Sequence, residues 1–224
     1  MQDWKLDGKP ALVLLHMQKG IIGGGKWIKP WYDGLKETVT EMGMFDRIQE
    51  LLQAFREREL PVVFVNVVPN PFGPMPKYGI LMNQNVGMYD GTIMFDNEDL
   101  KEGVEVMDEM HRRPEEPVLY NWLLGGFTNS GLDLVLKTMG VDTIVLVGFA
   151  QNSVVYHTAS QAGDLWYSTI VPSDGSACYM PRVSPKYREG IDELCSEVVL
   201  DQMFPFISLV TTTADVIAHL PAKK

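Results

Sequence analysis

Residues 143–160 read TIVLVGFAQNSVVYHTAS. The run 144–147 is wholly apolar, mostly β-branched, and has the length of a buried strand. Gly148 closes the run. Asn152 or Ser153 is then placed to cap a helix whose apolar and small face is Val154, Val155, Thr158 and Ala159. A strand, a sharp turn and a helix start leave backbone N–H groups unpaired at the turn, where α/β proteins place ligands. Ser153 lies one step from Val154, about 100° round a helix, which gives it the capping role rather than a place beside Val154. His157 has the position of a helix-surface or packing residue. The turn holds no evident nucleophile.

Outward from this stretch, strands and helices alternate. Ala11 to Leu15 (ALVLL) is a second buried strand, ending at His16-Met17-Gln18. The glycine- and aromatic-rich segment 20–43 predicts no regular element. Phe45, Ile48, Leu51, Leu52 and Phe55 recur at helical spacing and predict an amphipathic helix over 44–59, stopped by Pro61. Residues 62–68 (VVFVNVV) then form a strand parallel to the first, giving a right-handed βαβ unit. A third strand covers 118–120. Asn129 or Ser130 caps a helix with Leu132, Val135, Leu136 and Met139 on one face, and Gly140 ends it. Beyond the central stretch, 168–171 is a strand running to Asp174, 184–195 is helical, 198–200 is an edge strand, and Thr213 caps a last helix over 214–220. The pattern predicts an α/β fold, a doubly wound Rossmann-like parallel sheet of five or six strands with helices on both faces. Residues 1–224 form a single domain. Between 69 and 98, prolines, glycines and four methionines interrupt the alternation. A long excursion of this kind serves either as a lid over a site or as an oligomer contact.

The chain has 46% hydrophobic and 21% charged residues, the balance of a globular protein able to bury a large core. Its formal charge of −10, with no basic run longer than a pair, argues against nucleic-acid and anionic-membrane partners. No apolar stretch approaches the roughly 20 residues of a membrane span. The polar opening, MQDWKLDGKP, predicts no signal peptide. The two cysteines, Cys178 and Cys195, do not make a disulfide framework and read as reduced thiols of a cytoplasmic protein.

Ligands of open parallel sheets bind beyond the carboxyl ends of the strands. That rule selects His16, Asn66, Asn121, the stretch 150–154 and Asp174. Around these positions the chain resembles the isochorismatase-like, or cysteine hydrolase, superfamily. ALVLLHMQKG is similar to that family's ALLVIDMQNDF segment, and the stretch 118–177 to its long motif K-x-x-x-S-A-F-x-G-T-x-L…G-V-x-T-x-x-C-V-x-x-T-A. The register is ungapped from Asn121 to Ala159. Phe127, Ser130, Leu132, Gly140, Thr143, Gly148, Val155, Thr158 and Ala159 fall on the same or similar residues. The resemblance implies a six-stranded parallel sheet, a homodimer or homotetramer, and a non-proline cis peptide between Phe149 and Ala150.

Amidases of that family use an aspartate, a lysine and a cysteine. The cysteine attacks an amide carbonyl, the aspartate is the base, the lysine stabilises charge, and backbone N–H groups hold the oxyanion. Those positions correspond here to His16, Asn121 and Val154. Isochorismatases proper lack the cysteine but keep the acid and the lysine, and this chain has neither. The family's Asp-x-His-x-His metal pattern is also missing, so no metal and no cofactor are expected. Valine cannot attack a carbonyl, which excludes thiol chemistry at residue 154. Cys178, beyond the fifth strand, reads as a small buried residue. His16 has two readings: a general acid or base titrating near neutral pH, or a neutral imidazole bonded to Asn121 or loop backbone. A His–Asn pair in place of an ion pair keeps both groups satisfied without burying a lone charge.

A pocket lined by Ile21, Trp27, Trp31, Trp122, Phe127 and the loop methionines suits a small, flat ligand. His16, Asn121, Gln151 and Asn152 are its orienting polar groups, and Ala150 and Val154 complete its lining. Two functions fit: a hydrolase-like enzyme acting on a small aromatic or cyclic metabolite through His16 and Asn121, or a catalytically inactive relative serving as a small-molecule binder or partner subunit.

Overall fold

The computed structural model describes residues 4–6, 8–23, 35–68, 98–122, 124–180, 190–191 and 193–223. β1 (Pro10–Leu15) is buried along its whole length and lies between β2 (Val62–Val67) and β4 (Thr143–Phe149), parallel to both. β3 (Val118–Asn121) pairs with β2, and β5 (Ser168–Pro172) pairs with β4. β9 (Leu209–Thr211), beside β5, ends the sheet on one side and β3 on the other. The strand order is therefore β3-β2-β1-β4-β5-β9, and its direction reverses between β1 and β4. That reversal opens a crevice at the carboxyl ends of these two strands.

A seventh strand joins this sheet. β6 (Ser176–Ala177) pairs with Gly148 and Phe149. The turn at Gly175 makes this possible, since the Gly148 N–H donates to Gly175 O at 3.1 Å. β5 thus flanks the first half of β4 and β6 its last two residues. β7 (Tyr179–Met180) and β8 (Gly190–Ile191) form a separate antiparallel pair.

Alternate residues of the buried strands supply two cores. Leu12, Leu14, Phe64, Val145 and Val147 pack on one face with α1 (Leu35–Glu41) and α2 (Met44–Glu57). Ala11, Val13, Leu15, Val63, Val65, Ile144 and Leu146 pack on the other with α4 (Leu132–Thr138) and α5 (Tyr156–Asp164). All five apolar residues expected on the α2 face are buried. α1 lies where no element was expected, because only Leu35 and Val39 anchor it. α3 (Glu98–Gly103) precedes a segment whose backbone returns to the end of β1, with Lys19 N donating to Glu105 O and Met107 N to Met17 O. The excursion 69–98 lies outside the described residues apart from its last residue, Glu98, which opens α3.

Four local expectations change. Of the helix expected over 184–195, residues 184–189 and 192 lie outside the described residues, Gly190–Ile191 form β8, and α6 (Glu193–Val198) is helical. Residues 198–200 are not an edge strand. They continue α6 into a π-helical turn, Val199–Met203, which buries Val199 against the second core, followed by Phe204. The last helix, α7 (Thr213–His219), is capped by Thr212 rather than Thr213, its side chain accepting from Asp215 N at 3.2 Å. Gly148 does not end its strand: at φ 125° it continues β4, and a Cβ there would lie 2.1 Å from Leu15 O. No described helix is long and apolar enough to cross a membrane.

Candidate functional site

His16 is the residue at which β1 stops. Its backbone still donates to Val65 O at 2.8 Å, but its φ of 55° turns the chain out of the sheet. The side chain is buried, and Nε2 lies 3.1 Å from Asn121 Oδ1 at the end of β3. The Asn121 amide nitrogen donates to Gly125 O at 3.0 Å, so its oxygen faces the imidazole. An amide oxygen only accepts, and His16 must therefore carry its proton on Nε2, leaving Nδ1 with a lone pair. Among the described residues nothing bonds Nδ1. Burial lowers the His16 pKa from 6.5 to about 4, against a smaller upward effect of the Asn121 bond. At neutral pH the pair is uncharged. The hydrogen-bonded His–Asn arrangement thus has the expected form, while the expected titration near neutrality moves down because no charged partner offsets desolvation.

Across the crevice, β4 ends in a cis peptide between Phe149 and Ala150. A π-helical turn, Gln151–Val155, leads into α5. Neither Asn152 nor Ser153 caps this helix: Ala150 holds the N-cap position, and its carbonyl accepts from Ser153 N and Val155 N. Gln151 is fully buried. Its Nε2 donates to Ser176 Oγ on β6 at 3.1 Å, and its Oε1 has no partner among the described residues.

A ladder of hydrogen bonds joins the two sides. Asn121 holds Gly125, and the next N–H, of Gly126, donates to Thr158 Oγ1 at 2.9 Å. Thr158 in turn donates to Val154 O at 2.6 Å. Gln161 secures the same turn through Phe127 N and Thr128 Oγ1. Gly126 is needed for this approach, since a Cβ would lie 2.9 Å from Thr158 Oγ1 and 3.1 Å from Leu15.

The expected site residues divide. His16 and Asn121 are in direct contact. Ala150, Gln151 and Val154 lie on the facing turn, Val154 fully buried in the second core. Ile21 is buried in the first core, and Trp122 packs against that core. Phe127 stacks on Tyr167 at 5.7 Å and packs against the second core, which also holds Val154. Trp27 and Trp31 lie outside the described residues. Asn66 is buried near the end of β2, its Nδ2 on Val104 O at 2.7 Å and its Oδ1 without a partner among the described residues. Asp174 has a structural role, accepting from Thr213 N and Oγ1, both at 2.8 Å. His157 is exposed and meets Tyr156 edge-on. Cys178 is buried beside Cys195.

Sequence reasoning missed Gln18. It is fully buried, donates to Val67 O and Gly103 O, and accepts from Val67 N, tying the end of β1 to β2 and to the segment after α3. A lone glutamine after an apolar run carries no distinguishing signal. Among the described residues, no three His, Cys, Asp or Glu side chains converge to hold a metal.

Known proteins share this arrangement of elements. The isochorismatase domain family matches residues 10–215. An isochorismatase family protein from Burkholderia thailandensis superposes with a TM-score of 0.72 at 25% identity, over 96% of this chain and 97% of the other. N-carbamoylsarcosine amidase from Thermoplasma acidophilum gives 0.61 at 26% identity, over 92% and 96% of the two chains. Ureidoacrylate amidohydrolase from Caulobacter segnis is 31% identical over 111 residues, half of this chain and 42% of that protein. The match therefore spans less than half the length of this curated relative.

Proposed function

We propose, because the chain belongs to the isochorismatase domain family, that it hydrolyses a small, flat metabolite, aromatic or cyclic, by acid–base chemistry centred on His16 and without a covalent intermediate. The observation that carries this reading is the His16–Asn121 pair, which fixes an imidazole with its lone pair on Nδ1. Such a nitrogen accepts a proton from water as the water oxygen attacks a carbonyl, and returns it to the departing nitrogen. The turn opposite offers valine at residue 154 and no cysteine, which favours direct attack by water over a thioester route. The buried, unpartnered oxygen of Gln151 favours a ligand bearing an N–H donor, because an unsatisfied buried acceptor is costly. Two of the similar proteins are named for ureido and N-carbamoyl compounds, and an amide or urea group supplies such a donor.

A second reading, a binder without turnover, is favoured by one feature. The His16–Asn121 pair carries no formal charge at neutral pH, since burial keeps the imidazole unprotonated. One experiment separates the two. The purified chain is incubated with a panel of cyclic and aromatic amides and ureides while loss of the compound and appearance of its hydrolysed product, by mass spectrometry, and thermal stabilisation are followed together. Product formation that nearly vanishes in His16→Ala and persists in Cys178→Ala supports the enzyme. Full activity in His16→Ala rejects it, and stabilisation without product supports the binder.

A further inference from the structure

Two thiols lie behind the Gln151–Val155 turn, in a chain that contains only two cysteines. Cys178 directly follows β6, the strand whose Ser176 holds Gln151 and whose Ala177 pairs with Phe149. Cys195 is carried by α6. Their sulfurs are 3.1 Å apart, within hydrogen-bond reach and not joined by a disulfide. Neighbouring bonds fix the geometry: Cys178 N donates to Ser196 Oγ at 3.2 Å, and Asn152 Nδ2 reaches Cys195 Sγ at 3.7 Å. The dithiol therefore meets the site turn through Asn152, and the strand that leads into Cys178 holds the same turn through Ser176–Gln151. A disulfide bond is about 2.0 Å long, so bonding requires the sulfurs to approach by only about 1 Å.

We propose that Cys178 and Cys195 are a hydroperoxide-reactive dithiol that closes to an intramolecular disulfide, joining β6 to α6 beside the site turn. The roles follow from access. Cys195 is partly exposed and meets the oxidant, whereas Cys178 is wholly buried and resolves the product. Burial also pushes the Cys178 thiol well above the usual range, which leaves it protonated until a partner arrives. In the first step the Cys195 sulfur attacks one oxygen of the peroxide. The O–O bond breaks, Cys195 becomes a sulfenic acid, and the departing oxygen leaves as water or alcohol with the thiol proton. In the second step the Cys178 sulfur attacks the Cys195 sulfur. The S–O bond breaks, the S–S bond forms, and hydroxide leaves as water with the Cys178 proton. Two thiols lose two electrons and two protons, and the hydroperoxide gains both.

The test uses the whole chain, reduced, freed of reductant and treated with hydrogen peroxide without denaturant. Both thiols are expected to disappear together, with an intact mass lower by two hydrogens and a proteolytic cross-link between the segments carrying Cys178 and Cys195. Dithiothreitol restores both. In Cys178→Ser, dimedone captures a sulfenic acid at Cys195; in Cys195→Ser, Cys178 stays reduced through the same exposure. Circular dichroism of each variant confirms its fold, and where a variant does not fold, the wild-type mass and cross-link decide. Two thiols that persist in the folded chain overturn the proposal. So does a disulfide that joins two chains, seen as a dimer on a non-reducing gel, or thiol loss without a cross-link.

Discussion

At the scale of single residues, His16 is an imidazole held neutral by burial. His16 has its Nε2–H on Asn121, and Asn121 is held by Gly125, so the orientation of the ring is set two bonds away. If His16 is the base, its working form is the unprotonated one. Activity is then full above its pKa and falls as pH drops through about 4, not through 6.5. A pH profile of kcat/KM on any hydrolysed amide checks this, and His16→Ala lowers kcat roughly 10²–10⁴-fold. An acid limb near neutrality points to a different group. Gly126 gives a prediction about stability. In Gly126→Ala the added methyl meets Thr158 Oγ1 and Leu15, so the ladder between Asn121 and Val154 must part or shift. A loss of roughly 1–3 kcal/mol in urea denaturation is expected, whereas Gly163→Ala, with nothing within 4 Å of its Cβ and no left-handed φ, meets no such contact. These contacts had only a partial signature in the sequence. The polar pair after β1 and β3 follows from the strand-end rule. The tautomer, the depressed pKa and the orphan oxygen of Gln151 depend on which neighbours fail to arrive, and composition does not record that.

At the scale of elements, legibility follows the strength of the apolar pattern. β1, β2, β4 and α2 are long, unbroken or strictly periodic, and their limits fall within two residues of those expected from the sequence. The errors gather where two patterns compete. The valines and leucine at 198–200 have strand propensity, yet α6 and the π-helical turn bury Val199 and Phe204 together, a helical solution set by tertiary packing. The caps fail for a related reason. Asn152 and Ser153 have capping chemistry, but the turn after the cis peptide already supplies the Ala150 carbonyl to the first N–H groups. Charged residues between the apolar ones read as solvated surface, and one of them is not. Arg56 on α2 and Glu116 before β3 form a two-pronged ion pair at 2.7 and 2.9 Å, both side chains nearly buried. Glu116 also accepts from Arg113 N, and Arg56 also reaches Met110 O and His111 O. This knot fastens α2 to the entry of β3. Removing one partner leaves the other charge buried, so Glu116→Ala is expected to cost roughly 3–5 kcal/mol. The double replacement of Arg56 and Glu116 by leucine and methionine is expected to cost far less than the single change. Chemical denaturation of both variants distinguishes a buried pair from a surface one, for which neither change exceeds about 1 kcal/mol.

At the scale of the whole molecule, the two apolar cores give a stability that does not vary with pH, so pH dependence falls on groups whose ionisation differs between folded and unfolded chains. Among the described residues His16 is the buried imidazole with a marked shift. The unfolded chain takes up a proton there as pH falls through about 6.5, while the folded chain resists until about 4. Between those values the unfolded state binds more protons, and stability falls as pH falls. Above 6.5 the contribution is complete, and below 4 this group causes no further loss. Asp133, held low by Lys137, and Asp215, held low by Thr211 and Trp4, act in the same direction but further down the scale. Both are exposed to screening, so their share is small. Replacing His16 by glutamine removes the titration while keeping an amide donor for Asn121. Urea denaturation at about pH 7.5 and about pH 4.5 should then show the wild type losing roughly 2–3 kcal/mol more than His16→Gln between the two conditions. Equal losses in the two proteins would mean that the imidazole is solvated or charged in the folded chain. That result would remove the physical basis for assigning it a neutral, proton-accepting role.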